Sequence, residues 1–149
     1  MCWPQLPMTI FYYWNWPGFF KGLIGKTLNK PDITSQITWV YTDDLEHTSN
    51  FYANVLGLKL VIDEGAARIF EVTSSAQIGV CTAFDNRIVA PEGGMITLVT
   101  GDVDAWYSLL ISRGVVIKDP PQVLEKFNIY SFFLTDPSGY VIEIQQFLE

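Results

Sequence analysis

The chain has 149 residues, 49% of them hydrophobic, so it is the size of one ordinary domain with enough apolar side chain to bury a core. A formal net charge of -7 opposes a sequence-independent grip on phosphates, which needs clustered Lys and Arg, and nucleic acid is not expected as a partner. Two cysteines, Cys2 and Cys81, and no secretory cleavage pattern give no disulfide framework, and a reducing cytoplasm is the expected location.

Residues 1–36 read as an aromatic-rich N-terminal extension. Met8 to Phe20 (MTIFYYWNWPGFF) holds seven aromatic rings and Pro17 without helical or strand alternation. It is shorter than the roughly 20 residues of a membrane span and is broken by Asn15 and Pro17. With Lys21, Lys26 and Lys30 behind it, the segment can lie in a membrane interface. The plainer readings are an arm packed on the domain or on a partner subunit, or an upstream stretch included by a misplaced start.

From Ile37 the chain repeats. ITWVY (Ile37 to Tyr41) leads into TDDLE, and MITLV (Met95 to Val99) leads into TGDVD. The β-branched and aromatic content of both runs favours strand. Each aspartate group then opens a helix. Asp43 or Asp44 caps the first, with Leu45, Thr48, Tyr52, Val55 and Leu56 at helical spacing and Gly57 as the stop. Asp102 caps the second, with Val103, Trp106, Leu109 and Leu110 as its buried stripe and Gly114 at its end.

Three strand-like runs follow each helix: 58–62, 67–72 and 78–82, then 115–117, 129–134 and 140–146. Gly65, Ser74-Ser75, Pro120-Pro121 and Asp136-Pro137-Ser138-Gly139 mark the reversals. The pattern is βαβββ twice, an α+β arrangement with module one at 37–84, a linker at 85–94 and module two at 95–149.

DDLEHTSNFYANVLGLKL at 43–60 and DPSGYVIEI at 136–144, set in a doubled βαβββ chain, resemble the glyoxalase/bleomycin-resistance/dioxygenase (vicinal oxygen chelate) superfamily. The resemblance covers roughly residues 37–149. It implies a cleft formed by two modules, a homodimer, and a divalent metal held at four inward strand positions. Those positions match Ile37, a residue near Gly79, Met95 and Glu143, so only Glu143 offers a donor that a Zn, Ni, Fe or Mn site needs. A one-residue slip puts Gln36 in the first position, and glutamine serves as a ligand in some relatives. The slip would also turn every side chain of that strand to the opposite sheet face.

In the ungapped register Ile96 and Leu98 face the helix, while Ile37, Trp39, Tyr41, Met95, Thr97, Val99 and Val141 line the cleft with Glu143. This lining is apolar and aromatic, which suits a flat, poorly charged ligand. Glu143 is either an acid/base group working in an apolar cleft or a relic of the metal site, bonded to Tyr41, Trp39 or water. The chain's one histidine, His47, falls in the first turn of the first helix, where a solvated side chain is the plain reading.

Gly93-Gly94 opens a strand rather than a helix, so a nicotinamide site has no support. Gly25-Lys26-Thr27 lacks the upstream glycine of a phosphate loop. Cys81 has no neighbouring activator in sequence. The leading expectation is a metal-free protein that binds a small aromatic or apolar molecule, with no cofactor. The alternative is a lyase, isomerase or dioxygenase using Glu143 with or without a divalent metal. A third reading is an interaction module that docks through its N-terminal arm.

Overall fold

A computed structural model of the chain describes residues 31–149. The expectations placed on the N-terminal aromatic segment, membrane contact included, lie outside these residues. Among the described residues no helix is long and apolar enough to cross a membrane.

The elements run β1 (Gln36–Thr42), α1 (Leu45–Asn50, continued as a π-helical turn over Phe51–Val55), β2 (Lys59–Asp63), β3 (Ala67–Thr73) and β4 (Ala76–Thr82). The second set is β5 (Met95–Val99), α2 (Val103–Ser112), β6 (Gln122–Leu124), β7 (Ile129–Thr135) and β8 (Val141–Phe147). Each set is one βαβββ module, and the fold is α+β. The two sheets have the same order, β1-β4-β3-β2 and β5-β8-β7-β6, with the first and last strand of each module parallel. Parallel neighbours need a long crossover, and α1 and α2 begin those crossovers.

Both helices start as their sequences direct. Asp44 Oδ1 accepts from the His47 N–H at 2.9 Å, and Asp102 Oδ1 accepts from the Ala105 N–H at 2.9 Å. Beyond Asn50 the helix widens, so that the Leu56 N–H reaches the Phe51 carbonyl at 2.9 Å. Phe51 and Tyr52 are buried on this turn. Gly57, at φ +74°, then supplies the left-handed residue that ends it.

One expected strand is absent. Residues 115–117 form no ladder; the second strand position of module two is taken by the three residues after Pro120-Pro121. Val115 and Ile117 do pack on the core, whereas Val116 between them is 92% exposed. Their apolar character serves packing rather than pairing, and the chain first finds β7 beyond the two prolines, which have no N–H to donate.

A single apolar cluster joins the modules: Val40, Phe51, Tyr52, Leu56, Phe70, Ile78 and Val80 from the first meet Val103, Leu110, Phe132, Leu134, Ile142 and Ile144 from the second. Polar bonds fix the junction. The Tyr52 hydroxyl donates to Asp136 Oδ2 at 2.9 Å, with both residues buried. Asp136 Oδ1 accepts from the N–H groups of Ser138 and Tyr140, each at 2.9 Å, which shapes the β7–β8 hairpin. The Tyr140 hydroxyl accepts from the Tyr41 N–H at 3.2 Å and the Ala90 N–H at 3.3 Å, tying β1 and the linker to that hairpin.

Burial raises the Asp136 carboxyl above the usual carboxylate range, against the hydrogen bonds from Tyr140, Tyr52 and Ser138 that pull it down. Burial and the adjacent Asp136 charge push the Tyr52 phenol far up, so it stays a donor. Because the folded state holds this proton more tightly than the unfolded chain, Asp136 adds stability that is complete below the unfolded carboxylate pKa. That stability is lost as pH rises through the raised folded value. Asp136→Asn keeps the shape and removes the titration. In denaturant unfolding, the stability of the wild type relative to Asp136→Asn is therefore expected to increase as pH falls from 7 toward the carboxylate range. Tyr52→Phe, which leaves Asp136 Oδ2 without its donor, is expected to cost about 1–3 kcal/mol in the same assay.

Candidate functional site

The strand registers decide what meets on the outer sheet faces. On β1, Val40 and Thr42 are buried toward the helices, so Ile37, Trp39 and Tyr41 lie on the opposite face. Gln36 alternates with Ile37 and therefore lies on the other face from it, with its own N–H bonded to the Ser75 carbonyl. On β5, Ile96 and Leu98 pack on the core, and Met95, Thr97 and Val99 are exposed opposite. On β8, Ile142 and Ile144 belong to the core, leaving Val141, Glu143, Gln145 and Phe147 on the outer face.

The pairs Trp39↔Gly79 and Thr97↔Glu143 occupy equivalent places in the two modules, as do Ile37↔Gln77 and Met95↔Val141. The two equivalent places are filled in opposite ways. In module one the side chain comes from the first strand: the Trp39 indole lies on Gly79, where an added Cβ would overlap its six-membered ring. In module two it comes from the last strand. Glu143 is 4% exposed, and its Oε2 accepts from the Thr97 hydroxyl at 2.9 Å. Thr97, rather than Tyr41 or Trp39, is thus the protein partner of Glu143. The Tyr41 hydroxyl instead accepts from Arg87 Nε at 3.1 Å.

Glu143 lies at a depression of about 420 Å³ on the outer face of the second sheet. Met95, Leu124, Phe127, Ile129, Phe133 and Phe147 supply its apolar lining, and Glu143 and Gln145 are its polar members. Phe133 is the direct cross-strand partner of Glu143, and Ser131 that of Gln145. Phe147, at 68% exposure, and Phe127 are the most open of the rings, and Lys126 Nζ stands 5.3 Å from the centre of the Phe127 ring. Of the residues named from sequence, Met95 and Glu143 line this depression, and Thr97 stands behind it as the partner of Glu143. Val141 shares the face but lines a neighbouring depression of about 260 Å³ with Phe133 and Thr135. Thr97 and Val99 also border a third, of about 340 Å³, with Trp106. Ile37, Trp39 and Tyr41 belong to the other sheet.

Sequence reasoning missed Gln145, Phe147, Phe133 and Ser131. The first two follow Glu143 at strand period two, and the last two follow from folding the chain back about Asp136 to Tyr140.

The four metal-ligand positions implied by the resemblance carry a hydrocarbon, no side chain, a thioether and one carboxylate, at Ile37, Gly79, Met95 and Glu143. Among the described residues no three His, Cys, Asp or Glu side chains converge. This donor set does not fit a divalent transition ion. Cys81, buried beside this face, donates its thiol to the Thr82 carbonyl at 3.3 Å, and His47 is exposed on α1.

Solved structures share the fold. A glyoxalase/bleomycin resistance protein/dioxygenase from Nocardioides superposes with a TM-score of 0.67 at 22% identity, covering 88% of this chain and 91% of that one. A lactoylglutathione lyase from Agrobacterium tumefaciens gives 0.63 at 23% identity, over 78% and 96%. A glyoxalase/bleomycin resistance protein/dioxygenase from Alicyclobacillus acidocaldarius gives 0.63 at 20%, over 77% and 92%. A comparison with curated protein sequences finds no match. The family model described as Glyoxalase/Bleomycin resistance protein/Dioxygenase superfamily matches residues 34–144, which span both modules and the linker, and the chain belongs to that superfamily.

Proposed function

We propose that this chain binds a small, flat, uncharged aromatic molecule on the outer face of its second sheet, without a metal ion. The observation that carries this reading is the composition of the 420 Å³ depression: six apolar side chains, three of them phenylalanines, around one carboxylate and one amide. That is the usual make-up of a small-molecule site, in which apolar walls give affinity and a few polar groups fix orientation. A buried carboxylate already bonded to Thr97 disfavours an anionic ligand.

One observation favours an enzymatic reading. Thr97 engages only Oε2 of Glu143, which leaves Oε1 at the pocket to take or return a proton from a bound molecule. In that reading the reaction is an isomerisation or elimination with Glu143 as proton shuttle, and no step passes through a metal.

Both sheets also expose apolar side chains on their outer faces, Ile37 and Trp39 on one and Met95, Val99, Phe133 and Phe147 on the other. A homodimer that brings the first sheet of one copy to the second sheet of its partner would cover them and add the outer ring face of Trp39 to the site.

Four measurements follow from this reading. Elemental analysis of dialysed protein is expected to find Zn, Ni, Fe and Mn far below one per chain; a stoichiometric metal overturns the metal-free proposal. Phe133→Ala is expected to weaken an aromatic ligand about fivefold or more in a fluorescence titration, through loss of a ring contact worth about 1 kcal/mol. Glu143→Gln should then change affinity little, whereas a fall in turnover of about 100-fold with binding intact would establish the enzymatic reading. Light scattering is expected to give twice the chain mass; a monomer at micromolar concentration removes the dimer.

A further inference from the structure

Ser131 is fully buried on β7, and its hydroxyl has no hydrogen-bond partner. A buried hydroxyl without a protein partner is rare in a folded chain and calls for a physical explanation. Its cross-strand partner is Gln145, whose side chain lines the pocket beside Glu143 and is 7% exposed. Opposed residues on one face have Cβ atoms about 5 Å apart, so a Gln145 rotamer that brings its amide to the Ser131 hydroxyl is within reach. That bond is not made in this structure.

Resting on the binding reading above, we propose that the pocket recognises the cyclic amide edge of a planar N-heterocycle, an N–H beside a carbonyl, through Glu143 and Gln145 together. Glu143 Oε1 accepts the ligand N–H. Gln145 turns its Oε1 toward the Ser131 hydroxyl, which donates to it, and thereby presents its Nε2–H to the ligand carbonyl. Ser131 is the positioning residue that selects this orientation of the amide.

In this arrangement donors and acceptors are complementary. A carboxylate offers only acceptors, so a ligand without a donor leaves Oε1 of Glu143 unpaired in an apolar pocket. The amide, held by Ser131 through its oxygen, offers only donors. Side chains two apart on one strand emerge parallel from the same face, with Cα atoms about 6–7 Å apart. Their flexible ends therefore converge on one edge of a ring system while Met95, Phe133 and Phe147 hold its faces. An anionic ligand is not favoured, since the Glu143 carboxylate is the one charged group lining the pocket.

The test uses three matched probes with the full chain, followed by ligand-detected NMR: 2-quinolinone, N-methyl-2-quinolinone and naphthalene. The wild type is expected to bind 2-quinolinone at least tenfold more tightly than either of the others. Gln145→Leu and Glu143→Leu should each reduce that preference to about twofold or less, and Ser131→Ala should lower it while leaving naphthalene affinity unchanged. Equal binding of all three by the wild type overturns this inference and leaves the apolar binding site standing. Binding of none overturns both. The comparison among probes is made on the wild type, so a variant that fails to fold does not remove the test. If Ser131→Ala keeps the full preference, the positioning role of Ser131 is wrong.

Discussion

The parallel pairing of the first strand of each module with its last strand is the constraint on which the site depends. It sets Trp39 against Gly79 and Thr97 against Glu143, two residues far apart in sequence in each case. Strand side chains alternate strictly between faces, so a shift of one residue would carry Glu143 into the core and Ile142 or Ile144 out to solvent. The apolar residues of β8, buried against α2 and β7, therefore hold the carboxylate where it stands. Site and core share one strand, and the core fixes the site.

The junction between modules rests on fewer atoms. Tyr52 reaches its position because α1 widens into a π-turn, and Asp136 reaches its own because the hairpin wraps its carboxylate in backbone N–H groups. Neither group would be comfortable alone, since a buried carboxylate and a buried phenol each need a partner. Together they orient module one's helix against module two's last hairpin, the same hairpin that launches β8 toward Glu143. The geometry of the pocket thus depends on a hydrogen bond made from the other module.

Much of this was legible in the sequence because it is local. Asp44, Asp102, Gly57 and Gly114 announce the helix ends through backbone chemistry alone, and the alternation of Ile37, Trp39 and Tyr41 or of Met95, Thr97 and Val99 assigns faces without knowledge of neighbours. Val115 to Ile117 misled because β-branched residues serve a packed loop as readily as a strand. Glu143 was conspicuous as the one acid in an apolar run. Its partner Thr97 was not, because that contact depends on pairing between β5 and β8. Ser131 and Gln145 were hidden for the same reason: each is an ordinary polar residue until the hairpin register sets them face to face.

The indole of Trp39 lying on Gly79 bears on how readily this chain could acquire a chelating centre. A histidine or glutamate at position 79 would have to enter space the indole fills, so it could be accommodated only after Trp39 had been replaced by something small. Replacing Trp39 first would uncover the backbone of β4 at Gly79 to solvent. Ile37 and Met95 would still need to change as well. A donor side chain at position 79 therefore requires a change at Trp39 too, and packing couples the two positions.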